Sequence, residues 1–175
     1  MKLLLASLLA LVTVTASAAS KEQIDAEVRE ALTEFRETTS AGYELSQKAV
    51  GVLVFPGVIK AGMGIGGEYG EGALLINGQT VDYYSLASAS IGFQLGAQKR
   101  AQIVLFMTQA ALDGFRNSEG WKAGVDGSVA LATLGTGGAI DTETAKQPII
   151  GFIFSNKGLM YNLTFEGSKM TKIER

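Results

Sequence analysis

The chain has 175 residues, with no cysteine, no histidine, 22 glycines, two prolines and a formal charge of −2. Lacking histidine and cysteine, it has no Ser-His or Cys-His couple, no zinc site of ordinary composition and no disulfide. Its mildly acidic balance also lacks the basic stripe that nucleic acid requires.

Residues 1–19 read as a signal peptide. Lys2 is a short positive n-region and Leu3 to Val14 an apolar run, with Ala16-Ser-Ala18 or Ser17-Ala-Ala19 offering small residues for cleavage. The run is shorter than the ~20 residues that span a bilayer; an uncleaved anchor is the other reading. No cysteine follows it, which excludes bacterial lipoprotein attachment. The expectation is a periplasmic or secreted protein. Residues 20–175 then form one domain, long enough for a real core without disulfides.

Ser20-Lys-Glu-Gln23 fits a capping box, S-x-x-Q. Ile24, Val28, Ala31, Leu32 and Phe35 follow on one face at helical spacing, opposite a charged face rich in glutamate. Helices that lie on membranes usually carry lysine and arginine there. An acidic helix over Lys21 to Glu37 is therefore expected to dock on the domain, with a short second helix near Tyr43 to Ala49.

Val50 to Phe55 is an apolar, β-branched run stopped by Pro56-Gly57, which predicts a buried strand. Glycines then recur at the even positions Gly62, Gly64, Gly66, Gly70 and Gly72. In an extended chain these share one face, leaving it nearly bare. Bare backbone is tolerated where something approaches closely. Two candidates are the protein's own helix or bent wall, and a groove for an apolar or phosphate-bearing ligand. Gly62-Met-Gly-Ile-Gly-Gly67 also matches G-x-G-x-x-G, but no helix opens after it, so nucleotide binding is rejected.

Asn77-Gly78 lies between Ala73 to Ile76 and Thr80 to Tyr84, the signature of a type I′ hairpin. Tyr84 to Gln98 alternates strictly. Ala87, Ala89 and Ile91 are expected on a buried face, Ser88, Ser90 and Gly92 on a small polar one. Ala101 to Met107 predicts a strand and Thr108 to Asp113 a helical turn. Trp121 to Leu131 reads as an alternating strand and Thr133 to Lys146 as a mobile loop. Ile149 to Phe154 and Leu159 to Phe165 read as a final hairpin. The fold class is α+β: a mostly antiparallel or barrel-like sheet of seven or eight strands, an N-terminal amphipathic helix, and one or two short helices.

The ordered set Gly51-Val-Leu-Val-Phe-Pro56, Lys60-Ala-Gly62, Gly66-Gly-x-Tyr-Gly70-x-Gly72, Tyr84-Ser85, Ser90-Ile-Gly-Phe-Gln-Leu-Gly96 and Trp121 resembles the SYLF-domain family. The resemblance runs from the helix to Lys157-Gly-Leu159 and Glu166-Gly167. It implies lipid binding. Eukaryotic members bind phosphatidylinositol lipids, partly through a basic amphipathic N-terminal segment, and fungal members also bind actin, a partner that an exported protein does not meet. Bacterial members are exported. The acidic helix of this chain departs from the eukaryotic pattern. By resemblance, Lys60 and the glycines Gly62, Gly64 and Gly66 are candidate lipid-binding positions. Lys99 and Arg100, cations at a strand end, are candidates for an anionic headgroup.

The functional expectation is an exported domain contacting phospholipid or acyl chains at the cell envelope, with phospholipid or fatty acid and the membrane periphery as partners. The alternative is an envelope protein-interaction or structural module. No cofactor is implied. Asp82, Asp113, Asp126 and Asp141 lie in separate segments, unpaired for glycoside hydrolysis, and the chain is not expected to be an enzyme.

Overall fold

A computed structural model describes residues 18–92, 97–160 and 163–175. All but the last two residues of the expected signal peptide lie outside these, as does the Phe93 to Gly96 part of the alternating run.

Helix α1 spans Lys21–Thr38 and α2 spans Ser40–Lys48. Ser20 caps α1 as the capping box requires, its hydroxyl accepting the Gln23 N–H at 3.2 Å. Thr39 caps α2 in the same way through Gly42. Strands β1 (Gly51–Ile76), β2 (Gln79–Gly92) and β3 (Ala97–Phe106) come next, then helix α3 (Gln109–Arg116). Two-residue strands β4 (Trp121–Lys122) and β5 (Ala130–Leu131) precede helix α4 (Thr142–Ala145). Strands β6 (Ile149–Ser155), β7 (Gly158–Leu159) and β8 (Lys169–Ile173) complete the chain. The strands form one sheet in the order β4-β8-β2-β1-β3-β6-β5, with β7 paired to β6. Pairing is antiparallel except between β5 and β6. Asn77 (φ 53°) and Gly78 (φ 74°) make the tight turn that the sequence predicts.

Strand β1 sets the architecture. Straight, its 26 residues would measure roughly 85 Å, far more than a domain of this size is wide. Instead residues Gly51 to Ala61 pair with β3, and residues Gly64 to Ile76 pair with β2. The two limbs lie against each other: Cβ atoms built on Gly62, Gly70 and Gly72 would meet Gly66, Val58 and Val54. The chain doubles back around Gly62–Gly66, exchanging its partner β3, paired as far as Ala61, for β2, paired from Gly64.

Near its base the sheet is buried on both faces. Because neighbouring residues in a strand point oppositely, Val54, Ala73, Leu75, Tyr83, Ile103 and Phe152 pack under α1. Leu53, Leu74, Tyr84, Val104 and Phe106 pack with α3, Trp121 and Phe165 on the other side. Helix α1 docks through Ile24, Val28, Ala31 and Phe35, all buried, with Leu32 half-buried. Phe35 meets Phe152 edge-on at 4.8 Å. Asp25 accepts hydrogen bonds from the Tyr83 and Thr80 hydroxyls at 3.0 Å, pinning the start of the helix to β2.

Several expectations are corrected. Ala87 and Ala89 are exposed rather than buried. The ~27 Å of α1 covers only the sheet's base, and the far ends of β1 and β2 project beyond it. Trp121 to Leu131 is not a continuous strand. It breaks at Gly124 (φ 85°), where the backbone enters the left-handed region, and Val125 is 72% exposed. Thr133 to Lys146 contains a 3-10 turn and α4, whose Asp141 side chain accepts the Thr144 N–H at 2.9 Å. Among the described residues the final hairpin pairs Phe154 with Leu159 and Ser155 with Gly158, and the Met160 N–H donates to the Ile153 carbonyl; Tyr161 and Asn162 of the expected second strand lie outside the described residues. The last full strand is β8, which joins β2 and β4.

Candidate functional site

The projecting ends of β1, β2 and β3 form a tongue that carries every candidate site residue. Glycine makes its bend. A Cβ on Gly70 would sit 3.1 Å from the Val58 Cα, and one on Gly72 2.0 Å from the Val54 carbonyl oxygen. The bare face of the ladder is thus filled by the strand's own other limb. Of the two sequence readings, the structure places own-backbone packing at Gly62, Gly70 and Gly72. Gly64 pairs with Gly92 and Gly66 with Ser90 across to β2.

Doubling back brings together residues equidistant from the bend. Lys60 and Glu68 lie on the α3 side of the tongue, and Arg100 of β3 joins them there. Arg100 Nη2 donates to Glu68 Oε1 at 2.5 Å, and Lys60 Nζ lies 3.5 Å from the same oxygen. All three side chains are largely buried, Arg100 at 5% exposure and Glu68 at 9%. Two cations share one carboxylate, so the cluster keeps a net positive charge and depends on Glu68 to offset the cost of burying Arg100. Arg100 Nε and the neighbouring Gln102 Oε1 are buried with no hydrogen-bond partner among the described residues.

Lys99 is on the opposite face, since it adjoins Arg100 in a strand. It is exposed, and its stem lies over Gly57, whose built Cβ would meet Lys99 Cε at 2.6 Å. Glu27, Glu30 and Glu34 of α1 line the same groove. The structure therefore unites Lys60 with Arg100 and separates both from Lys99.

The α1-side face of the tongue is apolar. Ile65 is 78% exposed, Tyr69 52% and Ile59 50%. Tyr69 pairs with Ala87 and Gly67 with Ala89 across to β2, and Ile65 follows at the same spacing in β1, which puts these residues on one face. Small residues surround the three large ones: Ala61, Gly67, Ala87 and Ala89 are all exposed. Tyr69 and Ile59 also line a groove with Ala18 and Ala19, where the described chain begins. Burial raises the Tyr69 phenol, helped by its hydrogen bond to Glu71 at 2.9 Å.

Two parts of this site escaped the sequence reading. Glu68 was legible only to a reading that placed a bend at Gly64, from which Lys60 and Glu68 are equally distant. The exposed apolar face was hidden in the alternation, which marks one face as apolar without saying whether anything covers it.

The sequence profile of one family, described as Ysc84, Las17-binding protein actin regulator, matches residues 87–174. No curated protein matches the chain. The matched half contains β3, α3, Trp121, β6 and β8, the scaffold on which the tongue is mounted. With the ordered motifs that precede it in β1, this match shows that the chain belongs to the Ysc84 family of SYLF-domain proteins.

Proposed function

We propose that the protein is an exported, non-enzymatic domain that contacts phospholipid at the cell envelope. One observation carries the reading: Ile59, Ile65 and Tyr69 stand exposed together on one face of a projecting tongue. A contiguous apolar patch on a domain whose base is buried on both faces marks a surface that is covered in use. Family membership adds lipid as the chemistry. The actin and Las17 of the family's description belong to other proteins, and an exported chain meets neither.

The test uses the natively processed protein, floated with vesicles made from its host's total lipid extract, and separately extracted for mass spectrometry. Co-flotation, or phospholipid or fatty acid carried through purification, is the expected result. A protein that stays at the bottom of the gradient and is lipid-free overturns the reading.

A second reading has its own observation. Among the described residues, strand β2 runs on from Ser88 to Gly92 beyond its last partner in β8, which is the Ala87–Lys169 pair. That stretch offers a strand edge to an envelope protein through β-augmentation. Capture of one envelope partner by a lipid-free protein is the result that favours it.

A further inference from the structure

Resting on that lipid-contact reading, we infer that the tongue engages the interface of a zwitterionic phospholipid bilayer through its apolar face, and that it does not select anionic headgroups. The argument is a census of charge around Ile59, Ile65 and Tyr69. Lys60 and Arg100 are on the other face and share Glu68. Lys99, the register partner of Ile59, lies over Gly57 in a groove with Glu27, Glu30 and Glu34. Lys169, the register partner of Ala87, is turned over Gly120, whose built Cβ would meet its Cε at 2.6 Å. Arg175 is tied to Glu71. Lys122, the register partner of Lys169, stands one strand further out in β4. Beside the patch Lys99 is outnumbered by Glu27, Glu30 and Glu34, so an anionic surface would meet more negative than positive charge on the α1 side.

What remains is geometry suited to shallow apolar insertion. Ile65 stands nearest the bend of β1, at the tip of the tongue. Tyr69 is further back, its ring on the apolar face and its hydroxyl bonded to Glu71. An aromatic ring with one polar end belongs at the level of the headgroups. Ala18 and Ala19 line the groove beside Ile59 and Tyr69, and the apolar stretch from Leu3 to Val14 lies just upstream. The alanines and glycine between the large side chains leave room for acyl chains to close around them.

The experiment is vesicle co-flotation of the natively processed protein with pure phosphatidylcholine, and with phosphatidylcholine containing phosphatidylglycerol, at low and high salt. The expected result is comparable binding to both, changed less than about threefold by salt, because apolar contact is not screened as charge contact is. The double variant Ile65→Ser, Tyr69→Ser loses at least about tenfold in partition. Lys99→Ala binds like the wild type. Both variants alter exposed side chains, and matched thermal melts check their folding.

Binding confined to the anionic vesicles and abolished by salt overturns the inference while leaving lipid contact intact. So does undiminished binding by the double variant, or a wild type that carries extracted lipid yet ignores both vesicles. A wild type that neither floats nor carries lipid removes the underlying reading as well. Concentration-dependent dimerisation that is lost in the double variant, without vesicle binding, assigns the face to a second copy of the chain and also overturns the inference.

Discussion

Gly62 and Gly66 meet backbone to backbone: a Cβ on Gly62 would stand 2.3 Å from the Gly66 Cα. Neither partner is a flexible side-chain end, so a methyl group must force the two limbs of β1 apart. Gly62→Ala is expected to cost ~1–3 kcal/mol, and Gly72→Ala to lie at the upper end, facing the Val54 carbonyl. Gly114→Ala in α3 meets nothing within 4 Å and should gain ~0.5–1 kcal/mol. Urea unfolding of lipid-free protein is the measurement. A wild-type midpoint for Gly72→Ala would mean that the limbs are not in contact.

That bend also shows where the sequence stops being legible. Helix α1 could be read because its cap, its period and its apolar stripe agree, and the Asn77-Gly78 turn because positive φ at both positions needs those residues. The bend at Gly62–Gly66 has no such mark: period-2 alternation runs through it without a proline or a polar turn. Strand β8 was missed for the opposite reason. Lys169-Met-Thr-Lys-Ile173 buries only Met170, with Lys169 and Lys172 exposed, as suits a strand near an edge. The meeting of Lys60, Glu68 and Arg100 depends on the register of three strand segments, and no local pattern encodes it.

Removing the carboxylate at the centre of that cluster should be costly. Glu68→Gln leaves Arg100 buried without its counter-charge and is expected to lose ~3–5 kcal/mol. Replacing Glu68 and Arg100 by leucine and Lys60 by methionine should recover much of the loss, since no buried charge is then stranded. Chemical denaturation of the single and triple variants decides this. Equal midpoints for wild type and Glu68→Gln would show that the cluster does not hold in solution.

Phe35 offers a direct measure of how firmly α1 is held. Its ring is fully buried, 4.8 Å from Phe152 and 5.7 Å from Phe154. Phe35→Ala should cost ~3–5 kcal/mol, combining lost transfer energy with the cavity left behind. Thermal melting reports it, and an unchanged melt would detach the helix from the core.

The Tyr83 and Tyr84 phenols are both pushed up to about 12, first by burial and then by carboxylates: Asp25, which Tyr83 hydrogen-bonds, and Asp82 beside Tyr84. A phenol whose folded value lies above its free value of about 10 stabilises the fold fully below pH 10. That contribution is lost as pH rises towards 12. Alkaline unfolding is therefore expected in that window.

Tyr84→Phe keeps the ring against Phe115 at 4.8 Å and removes a hydroxyl that is buried without a partner among the described residues. It should be neutral or stabilising by ~1–2 kcal/mol at pH 7, and should move the alkaline limb upward. Tyr83→Phe gives up its bond to Asp25 and should cost ~1–3 kcal/mol. Circular dichroism across a pH series separates the two, and a destabilised Tyr84→Phe would mean that its hydroxyl has a partner.

Trp121 is the chain's single tryptophan, and it is buried edge-on against Phe115 at 5.8 Å. Intrinsic fluorescence is therefore a one-sided reporter, sensitive to the packing under α3 and blind to the helix on the far face. Strands β1, β2, β3 and β6 nevertheless send alternate side chains to both faces, so neither layer can loosen without disturbing the strands of the other. Emission from Trp121 should fall at the same denaturant concentration as the helical signal, while vesicles occupying the tongue leave its wavelength unmoved.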